Sequence, residues 1–175
     1  MFRQVWVHPE DRRFQQVIWR SDPSKPLKIY QLKTVTYGLA SSPYHATRVL
    51  KQLAMDEGHK FPRATEIINK RVYVDDVLAG EDELEDSIAA CDELSSLLSL
   101  GGFTLRKWCA NDPAVLERVP PELWETTTEL EIGRSGLMKT LGLLWNPQTD
   151  RLAFKIPSLP HLDVACRGFG DVNAF

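Results

Sequence analysis

Ile67-Ile68-Asn69-Lys70-Arg71-Val72-Tyr73-Val74-Asp75-Asp76-Val77-Leu78-Ala79-Gly80 is the stretch on which the fold turns. An apolar-alternating run leads into Tyr73-Val74-Asp75-Asp76, and a second apolar run follows. This pattern predicts strand, tight turn and strand over about residues 66–80, with two carboxylates at the turn. Adjacent aspartates at a hairpin tip can hold divalent cations, because Mg²⁺ is bound by a few carboxylates plus substrate phosphates more often than by a full protein cage. Two such ions together drive nucleotidyl transfer. Four residues alone are a weak signal, since an acidic hairpin turn facing water reads the same way.

Outward from the turn, helical and strand-like patterns interleave. Upstream, Phe14 to Arg20 and Leu27 to Val35 read as strands around the turn chemistry of Ser21-Asp22-Pro23-Ser24-Lys25-Pro26. Ser41-Ser42-Pro43 opens a helix, with Ser42 as the expected N-cap and Pro43 at the first helical position. Its apolar stripe is Ala46, Val49, Leu50, Leu53 and Ala54, and Gly58 is the expected stop. Downstream, a helix is predicted from about Asp82 to Leu100, with its acidic start matched to the helix dipole, an apolar stripe of Leu84, Ile88, Cys91, Leu94, Leu97 and Leu98, and Gly101-Gly102 at its end. Phe103 to Trp108 reads as a strand, and Asn111 to Glu131 as irregular and acidic. Met138 to Trp145 and Arg151 to Ile156 read as a last hairpin. The order predicts an α+β sandwich, an antiparallel sheet with helices on one face.

Composition sets the outer bounds. The 175 residues suffice for one domain with a core, and 43% hydrophobic with 26% charged residues is ordinary for a soluble protein. No apolar run reaches membrane-spanning length and the start lacks a signal-peptide layout. The expectation is therefore an intracellular protein, cytoplasmic or nuclear, neither secreted nor membrane-bound. Cys91, Cys109 and Cys166 are dispersed and odd in number, which suggests neither a zinc site nor a disulfide framework. His8, His45, His59 and His161 show no ligand spacing. There is no phosphate-binding G-x-x-x-x-G-K-[ST] loop, and Asp82 to Asp86 lacks the spacing of a calcium loop.

The net charge of −3 is unevenly spread. Residues 1–71 carry 13 Lys/Arg against 6 Asp/Glu, a net of +7; residues 72–132 carry 3 against 15, a net of −12; residues 133–175 carry 5 against 3, a net of +2. The basic first part permits phosphate contacts, although two differently solvated surfaces would give the same split.

Five ordered segments carry a resemblance. They are Met1-Phe2-Arg3-Gln4-Val5 with His8 to Gln15, Val35-Thr36-Tyr37-Gly38-Leu39-Ala40-Ser41-Ser42-Pro43, the Tyr73 to Asp76 turn, Gly101-Gly102-Phe103 to Trp108, and Leu141-Gly142-Leu143-Leu144-Trp145. In this order they resemble the reverse transcriptase of long-terminal-repeat retrotransposons of the Pao/BEL lineage, over residues 1–156. The resemblance implies an RNA-directed DNA polymerase palm, with a ferredoxin-like antiparallel sheet, helices on one face and part of the fingers. Residues 157–175 do not match and are expected to be a poorly ordered tail.

The family pattern implies roles for particular residues. Asp75 matches the principal metal ligand and Asp76 its weaker neighbour, for two Mg²⁺ or Mn²⁺ ions. Tyr73 and Val74 would pack the turn near the primer end. Gly38 would let the backbone approach the incoming nucleotide, Tyr37 would pack on it, and Phe2 would lie under its sugar and exclude a 2′ hydroxyl. Core packing is the rival role for both rings. Lys107 matches a proton donor to pyrophosphate, with an ordinary exposed lysine as its rival. Leu141, Gly142, Leu143, Leu144 and Trp145 match the primer grip, where Leu and Trp at such spacing also suit a core. The implied partners are an RNA or DNA template with its primer, deoxynucleoside triphosphates and the remainder of a polyprotein.

One departure qualifies these roles. The family's first catalytic aspartate would fall about four residues before Met1. The expectation is a polyprotein fragment read from an internal methionine, with weak metal binding and little activity by itself. A non-catalytic nucleic-acid-binding remnant and an inert degenerate fragment are the alternatives.

Overall fold

The structure is a computed structural model that describes residues 1–125 and 138–154. In chain order the elements are β1 (Gln16–Trp19), β2 (Lys28–Gln31), α1 (Ser42–Glu57), α2 (Pro62–Lys70), β3 (Val72–Tyr73), β4 (Asp76–Val77), α3 (Leu84–Leu100), α4 (Pro113–Leu116), β5 (Met138–Thr140), β6 (Leu143–Asn146) and β7 (Arg151–Ala153). The protein is thus α+β. The strands do not join into one sheet: among the described residues they form the separate antiparallel sheets β1-β2, β3-β4 and β5-β6-β7. The expected continuous sheet under a helical layer is not seen in these residues. Residues 155–175, including the expected tail, lie outside the described part.

The core belongs to the helices. Leu50 and Ala54 of α1, Ala64, Ile67 and Ile68 of α2, and Ala90, Leu94, Leu97 and Leu98 of α3 are buried together with Val5, Val35 and Phe103. The predicted strand at Ile67 to Val72 is corrected here, because residues 62–70 are helical. Pro62 fits the first turn, where its missing N–H costs nothing. Ala64, Ile67 and Ile68 then fall at i, i+3 and i+4, one helix face. The α2 N-terminus lacks a cap of its own. Instead, the Glu93 carboxylate on α3 accepts the N–H groups of Arg63 (2.9 Å) and Ala64 (3.3 Å). A carboxylate there suits the positive end of the helix dipole and ties α3 to α2.

Capping of α1 also differs from expectation. Ser41, not Ser42, is the N-cap, and its carbonyl accepts from His45 N–H. The buried Ser42 hydroxyl donates to the Thr36 carbonyl and fastens the preceding loop to the helix. Gly58 ends α1 with an ordinary right-handed backbone, φ −64°. Its glycine character serves packing, since a Cβ there would collide with the Thr65 side chain.

At the end of α3, Gly102 has φ +74°, its N–H reaches Ser99 O, and Phe103 N–H reaches Leu98 O. This is the Schellman arrangement, which satisfies the last carbonyls and drops Phe103 into the core. The segment Phe103 to Trp108 is not the predicted strand. Among the described residues it finds no neighbouring strand, and makes only a parallel bridge from Trp108 to Trp124. The predicted strand Met138 to Trp145 is two strands, because Leu141 and Gly142 take φ +46° and +83° and turn the chain back. Positive φ at both turn residues matches the twist of a two-residue hairpin.

The first hairpin is held by Gln15. This buried side chain donates from Nε2 to Leu32 O (2.8 Å) and Thr34 O (3.0 Å). Gln15→Ala should lower the unfolding free energy by about 1–3 kcal/mol in urea titrations, because two partly buried carbonyls lose their donor. Cys91 on α3 has its thiol pushed up to about 11, by burial and then by the Asp92 charge. At pH 8 this lowers its thiolate fraction, while the higher basicity makes the remaining thiolate more nucleophilic. Cys91 should therefore alkylate roughly tenfold more slowly than a free thiol, as read by timed iodoacetamide labelling and peptide mapping.

Candidate functional site

Tyr73-Val74-Asp75-Asp76 forms a two-residue turn between β3 and β4, with Val72 opposite Val77 and Tyr73 opposite Asp76. Val72 and Val77 pack against the helical core. By strand alternation, Tyr73 and Asp76 project from the other face, and both are exposed. Val74 is held at φ +58°, in the left-handed region. A β-branched residue pays about 1–2 kcal/mol there, and such strain persists where the surroundings enforce it.

What enforces it is the seam with α2. Arg71 N–H donates to Ile67 O (2.7 Å), closing the helix, and Arg71 O accepts from Leu78 N–H (3.1 Å). The Arg71 guanidinium donates to Gly80 O (2.7 Å). One residue therefore links a buried helix to both the strand leaving the turn and the segment beyond it. The sequence reading did not single out Arg71, and its one signal was the position between an apolar run and the turn.

Asp75 and Asp76 are exposed. Neither takes part in a side-chain hydrogen bond or ion pair among the described residues. Their oxygens are free to accept a cation. No group of three or more His, Cys, Asp or Glu side chains comes together among the described residues. Among the described residues the turn is a two-carboxylate feature, and a hard divalent cation held there would need other oxygens to complete its shell.

A second cluster lies at the N-terminal side. Trp6 pairs with Thr34, Val7 N–H donates to Lys33 O, and Val35 N–H to Val5 O. This antiparallel seam brings Phe2 against Tyr37, ring centroids 5.1 Å apart and nearly perpendicular. Phe2 is partly buried on the core, whereas Tyr37 is 66% exposed. Gly38 follows with φ +87°, and a Cβ added there would touch nothing within 4 Å. Its glycine answers a backbone requirement and leaves open space above the chain. Phe2 and Tyr37 are thus in contact, with Gly38 next in the chain.

The remaining candidates make no side-chain hydrogen bond or ion pair with the turn among the described residues. Lys107 has φ +62° and a largely exposed side chain, 3.9 Å from the Glu125 carboxylate. No hydrogen bond or ion pair joins it to Asp75 or Asp76. Leu141 and Gly142 make the β5–β6 turn, and Leu143, Leu144 and Trp145 lie half-buried in β6. The Trp145 indole N–H donates to Asp150 (2.8 Å), so this ring is anchored within its own meander. Among the described residues no helix is long and apolar enough to cross a membrane.

Comparison with protein-family models, with curated proteins and with solved structures finds no match.

Proposed function

We propose that this chain is part of the palm, with a strip of fingers, of a reverse transcriptase of the Pao/BEL retrotransposon type. In this reading Asp75 is the principal ligand of two Mg²⁺ or Mn²⁺ ions and Asp76 an auxiliary one. The observation that carries the reading is the strained turn itself: Val74 at φ +58° between two short strands, presenting two unpaired carboxylates to solvent. The ordered motifs on either side, with the adjoining Phe2, Tyr37 and Gly38, support it.

The family chemistry assigns the metals to activating a primer 3′ hydroxyl and stabilising pyrophosphate as it leaves. This chain's own residues would hold those ions at Asp75 and Asp76, and support the base and sugar of a deoxynucleotide at Tyr37, Gly38 and Phe2. Lys107 would protonate pyrophosphate, and residues 141–145 would grip the primer. Two-metal transfer also requires a carboxylate facing the turn from another strand, and the described residues bring none to it. We therefore place the complete centre, and a palm sheet larger than β3-β4, in an assembly of this chain with the remainder of its polyprotein.

The test is Mn²⁺-induced paramagnetic broadening of backbone amides. Broadening centred on residues 74–76, lost in Asp75→Asn, is the expected result. Broadening elsewhere, or none up to millimolar Mn²⁺, would refute the metal assignment. The +7 charge of residues 1–71 favours a second reading, nucleic-acid binding without catalysis. Salt-dependent binding to primer–template that is indifferent to both Asp75→Asn and added metal would select it.

A further inference from the structure

We infer that the β1–β2 hairpin docks against the acidic end of α3 in a second copy of this chain. The two strands pair Gln16 to Gln31, Val17 to Tyr30, Ile18 to Ile29 and Trp19 to Lys28. Alternation puts Ile18 and Ile29 on one face, and Trp19 and Tyr30 on the other. Every one of these eight strand residues is exposed, Ile18 at 67%, Ile29 at 66% and Trp19 at 56%. A lone two-stranded ribbon is marginal in water, and apolar side chains on both of its faces call for a cover.

Charge narrows what the cover is. Arg20, Lys25 and Lys28 rim the hairpin, and none has an ion-pair partner among the described residues. The covering surface should be apolar at its centre and acidic at its edge. The chain carries such a surface itself. Glu81, Asp82, Glu83 and Glu85 lead into α3, exposed and without ion pairs among the described residues, beside the exposed Leu78 and Leu84. No hydrogen bond or ion pair joins the two surfaces within one copy. The +7 of residues 1–71 and the −12 of residues 72–132 are the same complementarity on the scale of the chain. A nucleic acid would satisfy the basic rim and stack on the exposed Trp19 and Tyr30, but it would leave the aliphatic face of Ile18 and Ile29 uncovered, whereas Leu78 and Leu84 of a second copy suit that face. When two copies exchange such contacts reciprocally the assembly closes; otherwise it grows head to tail.

Sedimentation equilibrium on the purified full chain decides the matter. The expected result is concentration-dependent association that weakens as salt rises, because its rim is ionic. Lys25→Glu with Lys28→Glu should weaken it by about tenfold or more, through like-charge opposition, as should Glu81→Lys with Asp82→Lys. Mixing the two double variants should restore association, since each reversed surface then meets a reversed partner. Circular dichroism of each variant establishes that its helices are intact. A wild-type chain monomeric at every concentration, association indifferent to salt and to both reversals, or a mixture that stays monomeric would overturn the inference. So would a monomer that binds an RNA–DNA duplex through Lys25 and Lys28, which would assign the hairpin to nucleic acid.

Discussion

Leu97→Ala should lower the unfolding free energy by about 2–5 kcal/mol, the range for emptying a buried leucine site. Leu97 is 0% exposed, the largest fully buried apolar side chain among the described residues, on the α3 face that packs with Leu94 and Leu98 against α1 and α2. The helices around it are pinned at their ends, α2 by the Glu93 carboxylate and α3 by its Schellman turn, so they cannot close readily over the void. Domains of this size have total stabilities of about 5–15 kcal/mol, and the loss is a large share of that. The measurement is a urea midpoint that falls while the slope stays constant. Leu100→Ala, at an exposed position on the same helix, should change stability by less than about 0.5 kcal/mol. Equal effects at the two sites would mean that the core is not where the helices place it.

The second large effect concerns chemistry. On the proposed reading, Asp75→Asn should cut primer extension by about a hundred- to ten-thousand-fold in a polymerase assembled from this chain and the polyprotein remainder. That range follows from losing several kcal/mol of metal-borne charge stabilisation at about 1.4 kcal/mol per tenfold. Asp76→Asn should cost less, since the proposed reading makes it the auxiliary ligand. The isolated chain should extend a primer no faster than a no-protein control in Mg²⁺ or Mn²⁺, because its turn brings only two carboxylates together. Robust extension by the isolated chain, abolished by Asp75→Asn, would show the turn sufficient and our account of an incomplete centre wrong. Unchanged extension by the assembled Asp75→Asn variant would remove the turn from the chemistry.

Much of the helical half was legible beforehand. The stripes at Ala46, Leu50 and Ala54 and at Leu94, Leu97 and Leu98 repeat every three to four residues, and those positions are buried. Gly101-Gly102 was legible as a stop because few residues other than glycine take φ +74° readily. The Ile67-Ile68 pair misled, since two adjacent isoleucines suit either a buried strand or a helix face. Pro62 and Ala64, five and three residues earlier, favour the helix. Phe103 to Trp108 has strand-like composition, but composition cannot supply a partner strand, and among the described residues the chain there finds only the Trp108 to Trp124 bridge.

Local residue patterns were enough for the α+β character, the C-terminal ends of α1 and α3 and the acidic turn at Tyr73 to Asp76, because periodicity and glycine act over a few residues. Only the tertiary structure decided that Glu93 caps α2, that Arg71 seams the turn to that helix and that Gln15 ties down the first hairpin. These bonds join groups 9 to 30 residues apart in the chain. Their existence depends on how the core brings the backbone together, and no local pattern in the residues encodes that approach.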